Sequence, residues 1–280
     1  MKLDVAICSV RAKSLLELIE SLEPYLKEIN SVICIIDGAK SYDKNLKKIS
    51  EIPKYQVIVN QENKGLSYSR NLAMNLSSSD YILYLDDDVL LKSNIFLTAK
   101  KYFLQGYDVL GFKLVAPKAY ERKMKLLPKG YSYLFGVHTN QNRIWGACFG
   151  FNLKIAKQYQ LKFREGLGRK GKELQSGDDS FFVKELIEKK CNSILIHESL
   201  IHNFPDNRLK LGYIFKRIFW QGRCEIRQEQ FVTGLKKEIG RCSINDDGVL
   251  KRIISLPLLC IFLLGSLYEI CQKGKNIWER

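Results

Sequence analysis

Short apolar runs alternate with helical patterns through the first part of the chain. Leu3 to Ser9 (LDVAICS), Ser31 to Ile36 (SVICII), Gln56 to Val59 and Tyr81 to Leu85 (YILYL) are runs of strand length. Their continuity, rather than alternation, predicts strands buried on both faces. Between the first two, Leu15, Leu18, Ile19 and Leu22 fall on one face of a helix over Ser14 to Leu26, with Ser14 and Glu17 spaced as a capping box. Gly65 to Leu76 predicts a second helix, and Ser93 is placed to cap a third that runs to Gly106. Buried strands separated by helices define an α/β protein with a mostly parallel, Rossmann-like sheet covered on both faces.

The rhythm changes further on. Asp108 to Val115 and Ile144 to Phe151 (IWGACFGF) predict strands, a Gly-rich stretch from Gly166 to Gly177 leads into a helix over Phe181 to Lys190, and Ile194 to His197 is a last strand. Beyond Pro205 the composition shifts. Residues 208 to 227 set Arg208, Lys210, Lys216, Arg217, Arg223 and Arg227 against one acid, Glu225, with aromatic residues between them. Ile253 to Tyr268 then carries no charge and is flanked by Lys251, Arg252, Lys273 and Lys275. As a helix it spans ~24 Å, short of the ~30 Å hydrocarbon core, and Pro257 interrupts it. It predicts a helix lying in the membrane surface; the rival is a core helix packed on the domain. Residues 206–280 therefore form a basic, aromatic and apolar helical extension.

Composition adds a size and a sign. The 280 residues are 46% hydrophobic with 19 Gly and 6 Pro, enough for a sizeable core and unlike disordered, collagen or disulfide-scaffold chains. Against 30 acids stand 45 basic residues, a net charge of +15 that points to a polyanionic partner: nucleic acid, nucleotide or anionic membrane. No helix-turn-helix, RNP-like or KH signature favours nucleic acid. The eight cysteines never approach C-x-x-C spacing, and the start of the chain has no secretory pattern. The expectation is a reducing, cytoplasmic setting with the thiols acting as small core hydrophobes.

The sharpest chemistry is Asp86-Asp87-Asp88, directly after YILYL, with Asp37 at the same kind of place after SVICII. Ligands of open α/β sheets gather outside the carboxyl ends of strands. Three adjacent acids there repel one another without a cation, and magnesium or manganese suits such hard oxygen ligands. An EF-hand is excluded because Val89, Leu90 and Leu91 fill positions that should be polar or Gly, and the bland rival is a solvated acidic turn. Asp178 and Asp179 precede a helix, where Asp179 is either an N-cap or, kept ionised by the helix dipole, a general base. Gly166-Leu-Gly168-Arg-Lys-Gly171 spells G-x-G-x-x-G but follows no apolar strand and opens no helix, so it reads as a loop whose Arg169 and Lys170 reach phosphates. His197 and His202 lack zinc-site spacing; one of them, after the last strand, could join a carboxylate-bound metal.

In order, DVAICSVR, Asp37-Gly38, NKGLSYSRNLAMNLSSSDYILYLDDDV, WGACFGFN, FREGLGRKGKELQSGDDSFFVKELIEKK and IHESLIHN resemble the motifs of a family 2 glycosyltransferase of the GT-A fold, over residues 1 to 203. The resemblance implies a GT-A domain over 1–205, with 1–90 its nucleotide-binding half and 91–205 its acceptor-side half. It implies that Asp37 contacts the nucleotide base, that Arg70 and Asn71 lie near the nucleotide, that Asp86 faces the ribose and that Asp88 binds the metal. Asp179 matches the family's catalytic base and His202 a further metal ligand. Asp178 replaces the usual Glu, Phe181 stands where an acid often follows, and the Asp37 motif is short.

The expected reaction moves a sugar from a nucleotide-diphosphate sugar to a hydroxyl of a glycan or lipid-linked acceptor, in polysaccharide or glycolipid synthesis at the cytoplasmic membrane face. One base and one displacement invert the anomeric centre; a retaining route needs a carboxylate nucleophile that no motif supplies. Two rivals remain: a nucleotidyltransferase that needs clustered carboxylates but no base at Asp179, and a non-catalytic polyanion-binding module.

Overall fold

The computed structural model describes residues 1–280 except 11, 40–43, 126, 128, 139–142, 229–230, 243–247 and 279–280. The strands are β1 (Leu3–Ser9), β2 (Ser31–Asp37), β3 (Tyr55–Asn60), β4 (Tyr81–Asp86), β5 (Val89–Leu90), β6 (Val109–Val115), β7 (Cys148–Asn152) and β8 (Ser193–His202). Among the described residues they form one mixed sheet in the order β3-β2-β1-β4-β7-β6-β8-β5. The first four pair in parallel, β7 is antiparallel to β4 and β6, and β8 is parallel to β6. The helices are α1 (Ala12–Leu22), α2 (Lys44–Ser50), α3 (Leu66–Leu76), α4 (Ile95–Leu104), α5 (Lys118–Met124), α6 (Leu153–Gln158), α7 (Asp178–Glu188), α8 (Leu211–Arg227), α9 (Phe231–Cys242) and α10 (Gly248–Trp278).

Alternation along β1 shows why both faces must be covered. Val5 and Ile7 pack under α1, α2 and α4, while Ala6 faces α3, α6 and α7. Each strand therefore buries both sides, which is the continuous apolar pattern of the sequence. The carboxyl ends of β1, β2 and β4 open on one edge, where the parallel half of the sheet meets the antiparallel β7.

Several expected boundaries move. The first helix begins at Ala12, so Ser14 lies inside it rather than ahead of it; after Leu22 the chain tightens into a 3₁₀ segment around Pro24. Asn94 caps α4 in place of Ser93, whose hydroxyl instead donates to Glu198. The strand expected from Ile144 begins only at Cys148, because Trp145 and Gly146 leave the ladder to line the cleft. The helix expected from Phe181 starts at Asp178, with Gly177 at its N-cap in the left-handed region (φ 111°). Pro257 does not break the C-terminal run: α10 is 31 residues long and passes through it.

A third apolar cluster welds the extension to the domain. Phe204, Ile214 and Ile218 pack with Tyr131 and Phe135 against Leu258 and Phe262 of α10. Cys8, Cys34, Cys148, Cys191 and Cys224 sit in or beside the cores as free thiols, while Cys260 and Cys271 are exposed on α10.

Candidate active site

A cleft of about 450 Å³ opens over the carboxyl ends of β1, β2 and β4. Asp86 ends β4, and the short β5 then turns back to pair with β8, with Val89 opposite His202. That register brings Asp88 and His202 together: His202 Nε2 is 3.0 Å from Asp88 Oδ1, and Arg208 Nη2 is 3.1 Å from Asp88 Oδ2. Ligand atoms of Asp86, Asp88 and His202 all lie within 4.8 Å of one another. Asp87 also lines the cleft and accepts a hydrogen bond from the Ser9 hydroxyl.

The donor set fits a hard divalent cation. His202 Nδ1 is 3.2 Å from the Gly136 carbonyl, which accepts its hydrogen. A neutral ring then turns the Nε2 lone pair toward the Asp88 carboxylate, a contact that calls for a proton or a metal ion between them. Two carboxylates and one imidazole suit manganese or magnesium. Gly136 is required for this: its φ is +62°, and a Cβ there would lie 2.9 Å from His202 Cε1.

Arg70 organises the acids on the other side. It is buried on α3, donating to Asp178 Oδ2 (2.7 Å), to Asp86 Oδ1 (3.2 Å) and to the Gly146 carbonyl (3.1 Å). Its guanidinium also lies over the rings of Phe149 and Phe163. Burial raises the Asp86 carboxyl to about 6, against the pull of Arg70, and raises Asp178 in the same way. Burial would lower the Arg70 guanidinium, but Asp178, Asp86 and Asp179 outweigh it and raise it.

Asp179 is not the helix cap. Gly177 holds that position, and Asp179 Oδ2 accepts the Gly146 N–H at 2.6 Å, which aims the carboxylate along the cleft wall. Gly146 admits no side chain, because a Cβ would come 2.7 Å from Asp179 Oδ2 and 2.9 Å from Arg70 Nη2. The first helical turn favours the negative charge of both aspartates.

The remaining expected residues divide. Asp37 lines the cleft, but its oxygens already accept Asn60 Nδ2, the Lys64 N–H and the Gly65 N–H, so it fixes the turn that starts α3. Asn71 does not line the cleft; its amide clips the Phe163 backbone N–H and C=O, each at 2.8 Å. Arg169 lines the cleft and its carbonyl accepts the Leu66 N–H, while Lys170 is exposed and bridges to Glu173. His197 lies outside the cleft.

The extension supplies wall residues that the sequence reading assigned to lipid. Arg208 caps the acidic centre, and α8 turns Tyr213, Arg217, Gln221 and Glu225 inward. Gln228 Nε2 donates to the Ser176 carbonyl, tying α8 to the loop before Asp178. The signal was present: these positions recur at intervals of four as a polar stripe on a basic amphipathic helix.

A curled mixed sheet with helices on both faces and acids at this edge defines a GT-A glycosyltransferase. The chain belongs to glycosyl transferase family 2, whose family model matches residues 5–164. A glucosyl-dolichyl phosphate glucuronosyltransferase of Haloferax volcanii is 23% identical, aligned over 79% of this chain and 75% of its own. Staphylococcus aureus TarS in complex with UDP superposes with a TM-score of 0.56 at 14% identity, covering 96% of this chain and 89% of that one. A mannosyltransferase from Pyrobaculum calidifontis in complex with GDP-Man and Mn²⁺ gives 0.58 at 12% identity, covering 100% and 81%. These structural likenesses are of fold; the family makes the protein a glycosyltransferase that uses nucleotide sugars.

Proposed function

We propose that the protein inverts the anomeric centre of a nucleotide-diphosphate sugar as it transfers the sugar to an acceptor hydroxyl, using Asp179 as base beside a metal site at Asp88 and His202, with Asp86. The observation that carries this reading is the pairing of two constellations across one cleft: the Asp86–Asp88–His202 group and an Asp179 carboxylate held by a backbone N–H. A nucleotidyltransferase has no use for the second.

Each residue then has a task set by its contacts. Asp179 takes the acceptor proton, its Oδ2 fixed by Gly146 so that no reorientation is needed as the oxygen attacks. Arg70 and Asp178 hold the wall on which Gly146 and Asp86 rest. Arg169 and Arg208 are cations positioned to offset charge on the leaving diphosphate. Asp37 shapes the base end through the turn at Lys64 and Gly65. Manganese or magnesium, when bound, supplies further positive charge to the diphosphate. The supporting comparisons are the UDP of TarS, the GDP-Man and Mn²⁺ of the mannosyltransferase and the lipid-linked chemistry in the Haloferax relative's name. We place the protein as a peripheral enzyme of the cytoplasmic membrane face, with 1–205 the transferase domain and 206–280 a membrane-associating extension that also walls the cleft.

The test is thermal melting with Mn²⁺ and UDP, GDP, dTDP or CMP. A nucleotide at ~100 times its dissociation constant adds ~2.7 kcal/mol to stability. One nucleotide should stabilise the wild type only with metal, Asp88→Asn should lose the shift, and Asp179→Asn should keep it while transfer falls ~10²–10⁴-fold. No shift from any nucleotide, or normal turnover by Asp179→Asn, refutes the assignment.

A further inference from the structure

Arg208 sits on the short 3₁₀ turn Asp206–Leu209, between β8, which carries His202, and α8. Its guanidinium holds Asp88 Oδ2 while His202 Nε2 meets Oδ1 of the same carboxylate. Little of this contact reaches solvent: the Arg208 side chain is 12% exposed and that of Asp88 5%. Arg208 also stands among like charges. Burial lowers its guanidinium and Arg169 adds to the effect, against Asp88, Tyr213 and Asp86. Burial would raise the neighbouring Tyr213 phenol, but Arg169, Arg208 and Arg217 outweigh it and lower it.

One carboxylate therefore faces two demands. The atoms of Asp86, Asp88 and His202 that suit a divalent cation lie within 4.8 Å of one another, and Arg208 is bonded to the other oxygen of Asp88. A cation held there and the guanidinium are like charges on one small group, at a site where solvent screens them weakly. Steadying Asp88 needs a hydrogen-bond donor at this position but not a positive charge, since a neutral amide also donates to a carboxylate. The charge has a different effect: it opposes the metal ion. A diphosphate against Arg169 and Arg208 offsets that repulsion. Cation and nucleotide then strengthen each other's binding, and the effect is reciprocal.

We infer that Arg208 couples the two ligands: paired with Asp88, it keeps the divalent-cation site weak, and a nucleoside diphosphate restores the affinity of that site by taking up the Arg208 charge. The inference rests on the metal and donor sites proposed above and adds an order to them. The cation stays while the nucleotide is present and is released when the nucleoside diphosphate leaves. Arg208 is thus a positioning residue that acts through Asp88.

The experiment measures Mn²⁺ binding to the full chain by water-proton relaxation, which separates free, nucleotide-bound and protein-bound ion. Each protein is titrated alone and then with UDP, GDP, dTDP and CMP in turn. One nucleotide should tighten Mn²⁺ binding to the wild type at least ~tenfold, within the ~5–150-fold range of coupled sites. Arg208→Gln keeps a donor for Asp88 and removes the charge. It should bind Mn²⁺ alone at least ~tenfold more tightly than the wild type and respond less to the nucleotide. Arg208→Lys keeps the charge and should resemble the wild type. The sign is what a merely structural role would not give, because a damaged fold or a misaimed Asp88 weakens Mn²⁺ binding. Unchanged or weaker binding by Arg208→Gln, or a wild-type affinity that no nucleotide alters, overturns the coupling and leaves the metal site standing. Mn²⁺ that binds Asp88→Asn as well as the wild type, or that binds no variant under any condition, overturns the metal reading and the inference with it.

Discussion

Arg70 is the buried cation on which the acids of the cleft depend. It lies between the buried Asp178 and the one-third exposed Asp86, and without it the two carboxylates lose the cation they share. Removing one partner of a buried ion pair costs ~3–5 kcal/mol, because the other charge is left uncompensated. The cost should depend on pH, with a sign that follows from the carboxyls. Burial already raises Asp178 and Asp86 above their ordinary values. A carboxyl so raised contributes stability that is full below its unfolded value and is lost as pH rises through the folded one. Loss of Arg70 raises both further, so Arg70→Met should destabilise more at pH 8, where the carboxylates must be charged, than at pH 5, where they can take protons. Melting of the metal-free protein at the two pH values checks this; an equal loss at both would show that the acids are solvated. The same residue shows what sequence can and cannot reveal. Asp86 and Asp88 were legible because an apolar strand runs straight into them. The role of Asp179 was not, since the Gly146 N–H that separates base from cap lies 33 residues away along the chain.

Among the elements, α8 joins the cleft to the C-terminal helix. It crosses α10 at two glycines: a Cβ on Gly222 would lie 2.0 Å from the Phe262 carbonyl, and one on Gly265 would lie 2.0 Å from the Phe219 carbonyl. Backbones this close leave no room for a methyl group, and the helices must part to admit one. Overpacking of this kind costs ~1–3 kcal/mol, so Gly265→Ala should lower the melting temperature by several degrees. Because Gln228 and Gln221 tie α8 to Ser176, just before Asp178 and Asp179, the same variant should lower transfer more than it lowers nucleotide binding. Equal losses in both would mean that the crossing serves stability alone. The strands β1 to β4 and α3 were legible almost residue by residue, since their apolar continuity is a local signal, whereas β5 and the far half of β8 were not. The inward face of α8 was not. Its basic residues fit a lipid surface equally well until the packing of Phe262 and Ser266 against Gly222 fixes the rotation of the helix.

At the scale of the whole molecule, the proposed placement at a membrane turns on α10. By length and composition its Ile253–Lys273 window could cross a bilayer, but a third of it is buried against the protein. Ser255, Leu258, Phe262, Ser266 and Glu269 form the docked face, and Glu269 takes ion pairs from both Arg223 and Arg227. A spanning helix would have to carry that pair and α8 into hydrocarbon, where charges are expensive. Ile253, Leu256, Leu264, Leu267 and Ile270 form the opposite, exposed row, the arrangement of a helix lying in an interface. Burying one Leu contributes ~1.5–3 kcal/mol, so exchanging two for charged residues removes most of such an anchor. Leu264→Glu with Leu267→Glu should reduce flotation with phosphatidylglycerol vesicles at least tenfold. Melting and the nucleotide shift should not change, because neither side chain supports the fold. Carbonate washing should release the wild-type protein from membranes, as it does a surface-bound helix. Retention of the protein after that wash would mean that α10 spans the bilayer, and that its contacts with α8 give way when it inserts.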